Sequence, residues 1–155
     1  MRERLRKLAA LALVLAGVGL LGGCGDDEPT GPQFGDLVFT PLSTVLTGDD
    51  RSTVLVLRNS GPRDLGPIII GLDGIVFRTA FTDSLCAGVE AALVPSSISS
   101  LAQGAEADVA LSLNLSGVEQ QTCSPGEYNA SVLASVNFQI LASATIQFDW
   151  DGTPP

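Results

Sequence analysis

The sequence predicts an all-β sandwich of about seven to eight antiparallel strands, on three observations. Three long segments in the second half alternate apolar and polar residues with period two, the mark of strands buried on one face. Short β-branched runs in the first half are separated by clusters of Gly, Pro, Asn and Ser, which break strands into turns. No stretch beyond residue 24 sustains a helical apolar period, so no helical layer is expected.

The elements follow in order. Val38 to Val45 reads as a first, irregular strand. Ser52 to Arg58 is the second, and its Val54-Leu55-Val56-Leu57 run is apolar on both faces. Asn59-Ser60-Gly61-Pro62 ends it with a strong turn signal. Pro67 to Leu72 contains Ile68-Ile69-Ile70, too β-branched and too short to prefer helix. Asp73-Gly74 suits a two-residue hairpin turn, because both residues tolerate positive φ, and Ile75 to Phe81 is then the returning strand.

Cys86 to Gly104 is Ser- and Ala-rich and the least regular part of the domain. It reads as a crossover between sheets, with a short helical turn over Glu90 to Leu93. The alternation then becomes clear. Val109, Leu111, Leu113 and Leu115 face one way, against Ala110, Ser112, Asn114 and Ser116. Tyr128, Ala130, Val132, Ala134 and Val136 repeat the pattern, as do Ile140, Ala142, Ala144, Ile146, Phe148 and Trp150. Trp150, the single tryptophan, shares the phase of Phe148 and Ile146 and reads as core. Residues 152–155 form a short tail ending in Pro154-Pro155.

The N-terminus has a different character. Arg2, Arg4, Arg6 and Lys7 precede a run from Leu8 to Leu21 that is apolar apart from glycines, and Leu21-Gly22-Gly23-Cys24 follows. A basic start, a short apolar stretch and small residues before a cut describe a secretory signal. The apolar run is about 14 residues, short of the roughly 20 that a spanning helix needs. Leu21, Gly22, Gly23 and Cys24 resemble the bacterial lipobox. That resemblance implies cleavage after residue 23 and a lipid on Cys24: a diacylglyceryl thioether, with an N-acyl chain such as palmitate. Two or more acyl chains hold firmly where one holds marginally. Gly25 follows the lipidated position, where Asp favours inner-membrane retention in enteric bacteria, so the resemblance favours the outer membrane. Residues 24–35 are acidic and rich in Gly and Pro, and read as a flexible tether.

Cleavage leaves 132 of the 155 residues, one domain's worth of chain. Its basic side chains are Arg51, Arg58, Arg63 and Arg78 against sixteen Asp and Glu, a balance of −12 with no lysine. Such a chain repels nucleic acid and anionic headgroups. Cys86 and Cys123 remain once Cys24 is acylated, an even number in an oxidising compartment, and are expected to pair.

Three passages resemble bacterial immunoglobulin-like modules of the CARDB type. Asn59-Ser60-Gly61 after an apolar strand is similar to the "N-x-G" ending their second strand. Leu101-Ala102-Gln103-Gly104 is similar to their "L-x-x-G" turn, and Gly126-Glu127-Tyr128-Asn129-Ala130 to the "G-x-Y-x-A" opening of the penultimate strand. The resemblance spans about residues 36–150, within a domain expected at residues 36–151, and implies an immunoglobulin-like sandwich without catalytic residues. It makes Tyr128 a structural tyrosine corner, its hydroxyl bonding nearby backbone.

The chain has no histidine, which removes His-based triads and nearly all zinc and copper sites. Glu90, Glu106, Asp108, Glu119 and Glu127 are carboxylates in search of a partner for glycoside hydrolysis, but strand and turn positions make them ordinary surface charges. Asp149 and Asp151 share one side of a strand end and Asp49-Asp50 lies in a turn, yet Ca²⁺ takes six to eight oxygens. No catalytic, metal or cofactor site is expected. The sequence therefore reads as a non-enzymatic envelope lipoprotein, held to a bilayer through Cys24, that binds or assembles with a protein or surface polysaccharide. A structural spacer or accessory subunit of an envelope complex is the alternative, and a carboxylate hydrolase a distant third.

Overall fold

The computed structural model describes residues 31–73, 77–79, 85–86, 89–115 and 124–152. The compact unit runs from Pro32 to Pro155. Its strands are β1 (Leu37–Thr40), β2 (Ser43–Thr47), β3 (Ser52–Asn59), β4 (Ile68–Leu72), β5 (Phe77–Thr79), β6 (Leu85–Cys86), β7 (Glu90–Val94), β8 (Ser97–Ile98), β9 (Glu106–Asn114), β10 (Gly126–Val136) and β11 (Gln139–Trp150). The lipobox Leu21-Gly22-Gly23-Cys24, with Glu119 and Cys123, lies outside the described residues.

Two sheets enclose one core. A four-stranded sheet has the order β1-β3-β9-β7, and a larger sheet the order β2-β11-β10-β4-β8, with β5 also beside β10 and β6 beside β5. The first order is that of strands A, B, E and D of the immunoglobulin fold, and β11-β10-β4 stand as its G, F and C. The protein is thus an immunoglobulin-like β-sandwich. Side chains alternate inward from both sheets, with Phe39, Leu55, Leu57, Val109, Leu111, Ile146 and Phe148 wholly buried between them, as period-two strands facing one another must place them. Trp150 is buried and stacks on Phe148, ring centroids 6.0 Å apart.

Four local expectations need correction. The single first strand over 38–45 is two strands in different sheets. Pro41, which has no N–H to give a ladder, ends β1 beside β3. The chain then crosses to run parallel to β11 as β2. β4 and β5 do not pair with one another as the hairpin expected at Asp73-Gly74 requires. β4 and β5 both run antiparallel to β10 and follow one another along it, Leu72 opposite Val132 and Arg78 opposite Asn129. β10 supplies the pairing that a returning strand would otherwise have had to supply.

Glu90 to Leu93 is strand, not helical turn. β7 pairs residue for residue with β9 from Asn114 to Ala110, and a partner of that length overrides weak local preference. The crossover is real but structured, since the chain leaves the four-stranded sheet after β7 and pairs with β4 through β8. Finally, Ile140 does not share the phase of Ala142. The register shifts between Ala134 and Ser135, so Ser135 sits opposite Ile140 and Leu141 is the extra residue. That bulge turns Leu141 into the core and Ile140 out to solvent.

Candidate functional site

The two turn motifs of the sequence meet at one buried side chain. Asn59 ends β3 fully buried. Its Nδ2 donates to Arg63 O at 2.8 Å and Leu101 O at 2.9 Å, while its Oδ1 accepts from Gly61 N at 3.0 Å. Its backbone joins the same knot, donating to Ala105 O and accepting from Gly104 N. Gly104 holds φ +75°, the left-handed region that glycine enters without a Cβ clash. Asn59 is therefore a structural clasp, with both of its amide N–H donors committed to backbone carbonyls.

Tyr128 is buried on β10, and its hydroxyl donates to Ser124 O, four residues upstream, at 2.5 Å. Cys86 lies in β6, opposite Phe77 of β5. Its partner in the expected disulfide is beyond the described residues.

The remaining carboxylates do not converge. Glu90 stands opposite Asn114, Glu106 opposite Arg58 and Asp108 opposite Val56 on the four-stranded sheet, whereas Glu127 stands opposite Asp149 on the larger one. Asp149 Oδ1 accepts from Gln147 Nε2 at 2.8 Å. Among the described residues no group of three or more His, Cys, Asp or Glu is placed to hold a metal ion.

The surface with distinctive chemistry is the outer face of the larger sheet. Strand register sorts it into rows. At the β10–β11 hairpin end, Ile69, Ser135 and Ile140 lie side by side. Ser131, Thr145 and Ser43 form a row further along, followed by Asn129, Gln147 and Val45. Glu127, Asp149 and Thr47 close the far end. The face thus grades from apolar, through hydroxyl and amide, to acidic. Asp73, Asn129, Ala130, Ser131 and Thr145 line a shallow depression of about 180 Å³ where β4 gives way to β5. Neither the row order nor the depression was readable from the sequence, because both depend on how β2, β4 and β10 are shifted against one another.

No protein-family model matches this chain, and no curated protein matches it. Among solved structures its fold is similar to the CsuC–CsuE chaperone–tip adhesion subunit complex of Acinetobacter baumannii Csu pili, at 16% identity and TM-score 0.47, over 75% of this chain and 57% of that one. It is similar to the Escherichia coli chaperone DraB at 11% identity and TM-score 0.47, over 81% and 58%. It is also similar to the CooA pilin subunit of enterotoxigenic Escherichia coli at 11% identity and TM-score 0.44, over 77% and 98%. The match spans little more than half of the two chaperone chains. These likenesses concern fold alone.

Proposed function

We propose that the protein is a lipid-anchored envelope module that binds or assembles with a protein or surface polymer through the outer face of its larger sheet, and that it performs no catalysis. The observation that carries the reading is the middle of that face. Asn129, Ser131, Ser43, Thr145 and Gln147 lie in adjacent rows on the solvent side of the two longest strands and their edge neighbour. Hydroxyl and amide side chains on a broad, rigid surface offer donors and acceptors to a partner without a charge to desolvate. The acidic far end adds selectivity against anionic partners.

Export supports the same reading. The lipobox-like Leu21-Gly22-Gly23-Cys24 and an even pair of further cysteines both fit a processed chain outside the cytoplasm. The partner is best sought by photo-crosslinking mature protein in its own membranes. Thr145→Arg places a long cation in the centre of the face. It should reduce capture by about ten-fold, the equivalent of roughly 1.4 kcal/mol. Ser112→Arg, on the exposed side of the opposite sheet, should leave capture intact. Equal capture by both variants would move the site elsewhere.

A further inference from the structure

The β10–β11 hairpin ends in an unusual pair. Asn137 and Phe138 form its two-residue loop with φ of 50° and 66°, the double left-handed turn for which Asn-Gly is the favoured sequence. Phenylalanine stands where glycine suits the backbone, and its ring is fully exposed. The ring thus packs on nothing among the described residues. Nearby side chains share its exposure: Ile140 is 45% exposed and Ile69 is 54% exposed, on the outer face one row from the turn. Phe34, 71% exposed, precedes Gly35, whose N–H donates to Leu141 O. Four large apolar side chains are therefore gathered at one end of the sandwich.

That is also the end at which the chain enters the domain. Pro32 opens the compact unit, and residues 33–36, read from sequence as the tether's end and the domain's start, are bonded to each other and to β11. Seven residues separate Cys24 from Pro32, and the eight steps between them reach at most about 28 Å. Charge is distributed the other way. Asp49, Asp50, Glu127, Asp149 and Asp151 lie at the far end with Arg51, since Thr47 is opposite Asp149 and Gly126 opposite Trp150. At the near end, Asp36 and Asp64 accept from the backbone of Gln33 and Gln103, and the third carboxylate there, Glu106, stands opposite Arg58, with Arg63 beside Asp64 in sequence.

We infer that Phe138, with Ile140, Ile69 and Phe34, is a membrane-contact tip: it enters the headgroup–acyl boundary of the bilayer that holds Cys24 and points the acidic end away. This rests on the lipid anchor of the proposed function. Apolar side chains bury favourably at that boundary, and anionic headgroups repel the far end. The acidic tether stays near the surface because the lipid holds it there. The orientation leaves the hydroxyl and amide rows rising from the membrane, accessible to a partner.

The test uses full-length protein extracted with its lipid and reconstituted in phosphatidylethanolamine–phosphatidylglycerol vesicles. Phe138→Trp is compared with the parent chain, so that Trp150 emission subtracts. The added emission should shift to the blue and fall roughly two-fold when the acyl chains are brominated. Phe138→Gly suits the turn, so it should keep the fold while the hairpin amides exchange faster on vesicles than in the parent. Intact mass separates the two readings. An unlipidated Cys24 overturns the anchor, and the orientation with it. A lipidated chain whose added indole is unquenched overturns the orientation alone. A blue shift that instead tracks protein concentration in detergent overturns it in favour of contact between copies.

Discussion

Asn59 bears on stability in a way that no apolar core residue does. Among the described residues it is the polar side chain wholly removed from solvent, and it satisfies three backbone groups from two separate turns. Alanine at this position removes the whole carboxamide and leaves the carbonyls of Arg63 and Leu101 and the N–H of Gly61 without their partner. A buried group left unpaired costs about 1–3 kcal/mol. Asn59→Ala should therefore lower the unfolding free energy by about 3 kcal/mol, read as a reduced urea midpoint with unchanged slope. A loss under about 1 kcal/mol would mean that water replaces the amide and that the clasp is not what joins the turns. Asn59-Ser60-Gly61 and Leu101-Ala102-Gln103-Gly104 were visible in the sequence as two turn motifs. Their meeting was not, because the contact between Asn59 and Leu101 links residues 42 positions apart.

Strand phase separates what local pattern can tell from what pairing decides. The alternations in β9 and β10 were legible because each strand keeps one unbroken in-and-out alternation, with Val109 to Leu115 and Tyr128 to Val136 inward. β11 broke the rule after its first two residues. Its alternation read backwards from Trp150 reaches Ile140, but the bulge opposite Ala134 and Ser135 inserts Leu141 into the count. Nothing in Gln139-Ile140-Leu141-Ala142 marks which apolar residue turns inward. β5 was misread for a similar reason: Asp73-Gly74 has hairpin chemistry, yet β10 offered the better partner. The bulge has a measurable consequence. Leu141 is fully buried and Ile140 nearly half exposed. Leu141→Ala should cost about 3 kcal/mol through lost burial and a residual cavity, and Ile140→Ala under about 1 kcal/mol. The reverse ranking in thermal unfolding would restore the uninterrupted alternation and remove the bulge.

At the scale of the whole molecule, the chain passes back and forth between the two sheets from β7 to β10. β7 belongs to the four-stranded sheet, β8 to the larger, and β9 to the four-stranded sheet again, before β10 begins the central strand of the larger one. The expected Cys86–Cys123 bond would close a loop around that passage. β6 lies beside β5, and β5 beside the start of β10 at Tyr128 and Asn129. Cys123 precedes β10 by two residues, Ser124 and Pro125, which reach about 7 Å when extended. A closed loop of this size is worth roughly 4 kcal/mol in the chain-entropy account, a large share of the 5–15 kcal/mol by which a domain is stable. Reduction should lower the urea midpoint by a corresponding amount, and alkylation should label neither Cys86 nor Cys123 until a reductant is added. Intact mass of the membrane-extracted chain tests the anchor in the same sample, as residues 24–155 plus lipid. Immediate labelling of both thiols, with a midpoint that ignores reductant, would show the β7–β9 passage held by packing alone. The sandwich would then owe its stability to Asn59 and the core rather than to a covalent clasp.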